Sequence, residues 1–173
     1  MKRFLLALIP AALLATAPAA SAGPKGPTIV DVAIAANAPD GPFPGAFDTL
    51  ITAVLAADPI VLDTLTGNGQ FTVFAPTDEA FAKLGLNPDN IGSAFDQQTL
   101  TGILLYHVAH GRQASTSVTR KSQIRMLQFG FLSADGLVLT DNVGRTSTIQ
   151  VPDVEAANGV IHGVSDVVLP FAP

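Results

Sequence analysis

Three histidines, His107, His110 and His162, are the side chains in this chain best able to meet a metal or a haem iron. His107 and His110 stand three residues apart. No third ligand lies at a recognisable spacing from them. There is no cysteine, and of two methionines Met1 falls in the leader. Thiolate ligands, thiol nucleophiles and disulfides are thereby excluded, so stability must come from burial. The 14 acidic residues are scattered and nominate no acid–base pair. No Gly-x-Ser-x-Gly elbow, zincin pattern or phosphate-cradling glycine run is present. The expectation is a protein that is not an enzyme and carries no metal or cofactor. A small-molecule, haem or metal binder of the cell envelope is the second reading.

Charge gives a different chemistry. Taking Lys2 and Arg3 away with the leader leaves seven basic residues against fourteen acidic ones, a net charge of −7. That balance argues against nucleic acid as a partner. Yet no Asp or Glu occurs between Asp96 and Asp135, and that window holds Arg112, Arg120, Lys121 and Arg125. Four cations without a neighbouring acid are either a solvated hairpin face or a contact surface. As a contact surface they suit the planar anionic groups of a glycan or a phospholipid headgroup.

The elements that would position these residues follow from local signals. Residues 1–22 read as a signal peptide: Met1-Lys2-Arg3 is the positive start, an alanine- and leucine-rich stretch follows, and Ala20-Ser21-Ala22 fits a cleavage site. Pro10 and Pro18 interrupt that stretch, which is too short to span a membrane. Residues 23–27 form a flexible leader, 28–170 the domain, and 171–173 a tail. Thr28 with Asp31 forms a capping box, with Ile29, Val32, Ala33 and Ala36 on one helical face. Phe47, Leu50, Ile51, Val54 and Leu55 predict a second apolar face, and Asp58-Pro59 starts a third helix. Phe71–Ala75 reads as a strand stopped by Pro76 and followed by a helix capped by Thr77, with Phe81 and Leu84 facing the core. Asp96 or Thr99 begins a helix that carries Leu100, Ile103, Leu104 and His107 inward.

Beyond Gly111 the runs are short and β-branched: Ser115–Val118, Ile124–Leu127, Leu137–Thr140, Thr148–Val151 and Val160–Leu169. Asn158-Gly159 predicts a turn with positive φ before the last strand. Helices first and strands later predict an α+β fold.

Three ordered boxes carry a resemblance. They are Thr72 to Phe81 with Phe74, Pro76 and Thr77, then Tyr106-His107, then Asn158-Gly159-Val160-Ile161-His162 running on to Leu169-Pro170. Together they resemble the fasciclin domain over nearly the whole of 28–170. The resemblance implies a fasciclin-like β-sandwich or wedge of about seven strands, with several packed helices mostly from the N-terminal half. It implies a secreted or periplasmic, non-catalytic module for cell adhesion or matrix association, with a cell-surface glycan, lipid or protein as partner. The box residues, His107 and His162 included, read as structural: an imidazole in apolar company needs hydrogen-bond partners. In vertebrate members an Asp-Ile pair before the last box is associated with receptor binding. Asp153-Val154 stands there, and the same aspartate is equally suited to an acidic turn. Three positions depart from the pattern: His110 for a proline, Gly163 for a bulky residue and Ser165 for an aspartate.

Overall fold

The computed structural model describes residues 24–128 and 130–170; the expected signal peptide 1–22, Gly23 and the tail 171–173 lie outside the described residues. Three helices come first: α1 (Ile29–Asn37), α2 (Asp48–Ala56) and α3 (Pro59–Thr66). The Thr28–Asp31 capping box is present, and Asp58 caps α3 with Pro59 in its first turn. Strand β1 (Phe71–Pro76) is buried along its whole length. Thr77 then accepts a hydrogen bond from Ala80 N–H and opens α4 (Asp78–Ala82). Helix α5 (Ile91–Ala94) precedes α6 (Gln97–Tyr106), whose cap is Asp96. The remainder is β2 (Val108–His110), α7 (Ser115–Val118), β3 (Gln123–Arg125), β4 (Phe131–Asp135), β5 (Val138–Thr140), β6 (Thr146–Ala156) and β7 (Gly159–Val164).

The seven strands form one mixed sheet in the order β2-β1-β7-β6-β5-β4-β3. Only β1 and β7, the first and last boxes, run parallel, from Phe71↔Gly159 to Pro76↔Val164. The outermost strands bend toward each other. Ala109 bridges Met126, and Leu127 N–H donates to Val108 C=O at 2.7 Å. This contact nearly closes the sheet into a barrel, which removes the exposed edges an open sheet would have. The expected α+β fold of about seven strands with several packed helices is present, and the strands form a single mixed sheet that is nearly barrel-shaped.

Two cores result. One fills the barrel with Phe74, Tyr106, Ile124, Met126, Leu132, Leu139, Ile149 and Val164. The other lies between the helices and the opposite sheet face, with Ile29, Leu50, Val61, Val73, Leu104 and Ile161. Burying a single side chain such as Phe74 stabilises the fold by about 2–3 kcal/mol.

Several expectations fail for physical reasons. Ser115–Val118 is one helical turn rather than a strand, because Ser115 is tethered from outside the segment by Asp153. The last run stops as a strand at Val164. Leu55 and Leu84 are exposed, since Ala53 and Phe81 occupy the inward positions of their helices. Neither Asn158 nor Gly159 has positive φ. Gly159 is demanded by close approach instead: a Cβ there would sit 2.2 Å from Phe71 O. The Asn158 side chain accepts from Ile29 N–H at 2.8 Å and donates to Leu65 O at 2.7 Å and Gly67 O at 3.0 Å. One buried amide thus joins the start of α1 and the end of α3 to the turn between β6 and β7.

A cleft between the α7 segment and the β3 edge

The box residues converge on the segment after β2. Thr72, buried on β1, donates through Oγ1 to Gly111 O at 2.7 Å and accepts Gln113 N–H at 2.9 Å. His162, buried on β7, meets the same segment from below. Its Nδ1 accepts Asp153 N–H at 3.1 Å, so the proton sits on Nε2, which donates to Gln113 O at 2.8 Å. The ring packs against Phe74, with centroids 5.6 Å apart. Asp153 can offer its N–H inward because β6 bulges there: the register with β7 shifts across Val151 and Val154, and Asp153 has φ 59°. Pro152 is tolerated at this bulge because its missing N–H falls where the ladder is interrupted.

Asp153 faces the opposite way with its side chain. Its carboxylate accepts Ser115 N–H at 2.7 Å and Ser115 Oγ–H at 2.5 Å. Burial works to raise the Asp153 carboxyl, but the Ser115 hydrogen bonds outweigh it and hold the group below the usual carboxylate range. Val154 pairs with Ile161 and packs against the helix-side core. The structure therefore puts Asp153 beneath the α7 segment and turns Val154 inward.

Gln113 is the node. Its side-chain amide donates to His110 O at 3.0 Å, and its oxygen accepts from Lys121 Nζ at 2.8 Å. Lys121 follows α7, and Arg125 lies on β3, where Ile124 is buried and Gln123 and Arg125 face out. Between them is an open cleft of about 540 Å3 lined by His110, Gln113, Arg120, Lys121, Ser122, Gln123, Ile124 and Arg125. Among the described residues the lining holds no carboxylate. Among the described residues, neither Arg120 nor Arg125 has a protein partner for its guanidinium.

Arg112 is not part of this group. It pairs with Glu155 at 2.9 Å, bonds Gln70 Oε1 at 3.4 Å and donates to Ala156 O. Of the four cations singled out in the sequence, three share the cleft and the fourth clamps the end of β6. Gln113 and Ser115 carry no sequence signal, since both act through partners about forty residues away.

The remaining histidine of the apolar positions, His107, ends α6. Its Nε2 accepts Val168 N–H at 3.2 Å, so Nδ1 carries the proton and donates to Ile103 O at 2.8 Å. Burial pushes its pKa down to about 4, against the opposing pull of the Ile103 carbonyl and the Asp141 carboxylate. Both nitrogens of His107 and of His162 are thus committed to backbone groups, and a metal at either would have to displace them. Among the described residues no three His, Asp or Glu side chains gather as a metal site. Tyr106, next to His107, donates to Phe131 O at 2.8 Å and accepts Asn142 N–H at 3.3 Å, and burial raises its phenol. Asp141, which sequence reading did not single out, is buried and accepts N–H bonds from Val143, Arg145 and Leu169.

The fasciclin domain model matches residues 45–170. The Synechocystis protein sll1735 is 36% identical over 145 residues, 83% of this chain and 98% of its own length. Immunogenic protein MPB70 of Mycobacterium bovis is 31% identical over 160 residues, 88% of this chain and 79% of its own. A solved FAS1 domain pair from the insect cell adhesion molecule fasciclin I superposes with a TM-score of 0.56 at 22% identity, covering 72% of this chain and 45% of that one. The three boxes, the parallel pairing of the first and last of them, and these likenesses agree: the chain belongs to the fasciclin domain family.

Proposed function

We propose that the protein is an exported, non-catalytic binding module that attaches to an anionic surface at the cell exterior or in the periplasm through the cleft of Arg120, Lys121 and Arg125. The observation that carries the reading is the composition of that cleft. Three cations and His110 share an open concavity without a carboxylate, in a chain whose overall charge is negative. A guanidinium with no protein partner retains its full fork of donors for a sulfate, carboxylate or phosphate group. The adhesion role named for the insect relative fits such an attachment. Asp153 acts here as the support of the α7 segment, and the cleft is the contact surface. Among the described residues no single helix is long and apolar enough to cross a membrane.

The test is binding to an anionic polysaccharide and, separately, to vesicles containing phosphatidylglycerol. Charge reversal at Arg120, Lys121 and Arg125 abolishes binding to whichever surface is the partner, whereas Arg112→Glu leaves it intact. Equal binding by wild type and the triple variant on both surfaces overturns the proposal.

A further inference from the structure

A second site lies on the far side of the sheet, where α1, α2 and α3 cover β1 and β7. A cavity of about 110 Å3 runs inward between these helices. Its floor is Val61, Phe74 and His107, all almost fully buried. Its mouth includes Ile34, 50% exposed, and Leu55, 71% exposed. The same void therefore reaches from solvent to the helix-covered face of the sheet. Among the described residues His107 is the one ionisable residue in the lining, and both its ring nitrogens are taken by Ile103 O and Val168 N–H. Nothing in the cavity can hydrogen-bond a guest. Water, which needs two to four polar partners, is a poor occupant of such a space, whereas a hydrocarbon is a good one: an apolar cavity of about 150 Å3 holds benzene.

We infer that this cavity is a binding site for an uncharged hydrocarbon chain, saturated or isoprenoid, whose end enters between α1 and α2 while the rest lies along Ile34 and Leu55. The exposed rim argues for a chain over a compact guest, because the apolar surface continues outward past the void. Charge argues against an anionic one. Residues 28–67, which build the three helices, contain Asp31, Asp40, Asp48, Asp58 and Asp63 and no Lys or Arg. An anionic head group at the mouth meets like charge from this layer. The site is separate from the basic cleft, and each stands or falls without the other.

The experiment titrates decanol, decanoate and the isoprenoid alcohol geraniol into the protein purified from its native source at pH 7. Methyl NMR follows the isoleucine and leucine signals, with native mass spectrometry for stoichiometry. The expected result is one decanol or geraniol per chain, shifts at Ile34, Ile51 and Leu55 with none at Ile124 or Leu132 in the barrel, and several-fold weaker binding of decanoate. Ala33→Phe, which fills the cavity from α1, removes these shifts. The methyl map of the wild type decides the matter even if that variant fails to fold. No binding, shifts spread over the barrel interior, or decanoate binding as tightly as decanol overturns the inference. So does a dimer that decanol dissociates, or residues 1–22 occupying the void in an unprocessed chain, since then another part of the protein is the occupant.

Discussion

The burial of His107 makes a quantitative statement about acid stability. In the folded chain its imidazole is neutral, donating to Ile103 O and accepting from Val168 N–H, and its pKa is pushed down to about 4. In the unfolded chain it titrates near the ordinary 6.5. The unfolded state therefore binds the proton first as pH falls. Stability is full above 6.5, is lost progressively from 6.5 to 4, and changes no further from this group below that. The residue is 2% exposed, so solvent screening does not reduce the effect. The loss across the window is about 3 kcal/mol. Carboxyls held low by hydrogen bonds, such as Asp31, Asp96 and Asp153, act in a different window: their contribution is present above the ordinary 3.8 of an unfolded aspartate and is lost as pH falls below it. The assay is urea denaturation followed by far-ultraviolet circular dichroism from pH 7.5 to 4.5, for wild type and His107→Gln. The variant is less stable at pH 7.5, because the Val168 N–H loses its acceptor geometry, but its profile across the window is flatter. The difference between the two profiles isolates His107. A wild type with no decline between 6.5 and 4.5, or a variant with the same decline, refutes the assignment.

Three further outcomes are expected. Asn158→Ala removes three hydrogen bonds, two of them buried, and leaves Ile29 N–H unpaired, which costs about 3 kcal/mol in chemical denaturation; a loss below about 1 kcal/mol would mean water replaces the amide. Gly159→Ala forces β1 and β7 apart, because Phe71 O stands 2.2 Å from the new Cβ, and the expected readout is loss of the cooperative thermal transition; an unchanged melting curve contradicts the reported strand approach. His110→Ala, at an exposed ring, changes stability by less than about 0.5 kcal/mol, and a cost equal to that of His107→Gln argues against the placement of both.

The parts legible in the sequence are those whose chemistry is local. Thr28 with Asp31, Asp58 before Pro59, Thr77 and Asp96 all mark helix starts where the structure has them, because a cap is a hydrogen bond within three or four residues. Periodicity alone was less reliable. Leu55 and Leu84 fit the apolar spacing of their helices, yet among the described residues no element covers them. Composition misled at Ser115–Val118, where β-branched residues suggested a strand and a carboxylate thirty-eight residues away held a helical turn. The near closure of the sheet depends on Ala109 meeting Met126, which no local pattern encodes.

The candidate cleft was half legible. An acid-free window with four cations is visible in one dimension, but which of them share a face is decided by ion pairs made at long range. Glu155 takes Arg112 out of the group, and Gln113, held by Thr72 and His162, brings Lys121 into it. The proline-to-histidine departure at His110 lands on the cleft wall, whereas Gly163 faces Val151 and Phe47 on the helix side.

The most direct test of the central claim is the salt dependence of binding to an anionic polysaccharide, measured for wild type and for a variant with Arg120, Lys121 and Arg125 all changed to glutamine. Exposed charges are screened over about 8 Å at physiological ionic strength and more closely at higher salt. Wild-type affinity falls steadily as salt rises, and the neutralised variant binds weakly with a nearly flat salt profile. Coincident profiles for the two proteins would show that the cleft is not the contact surface.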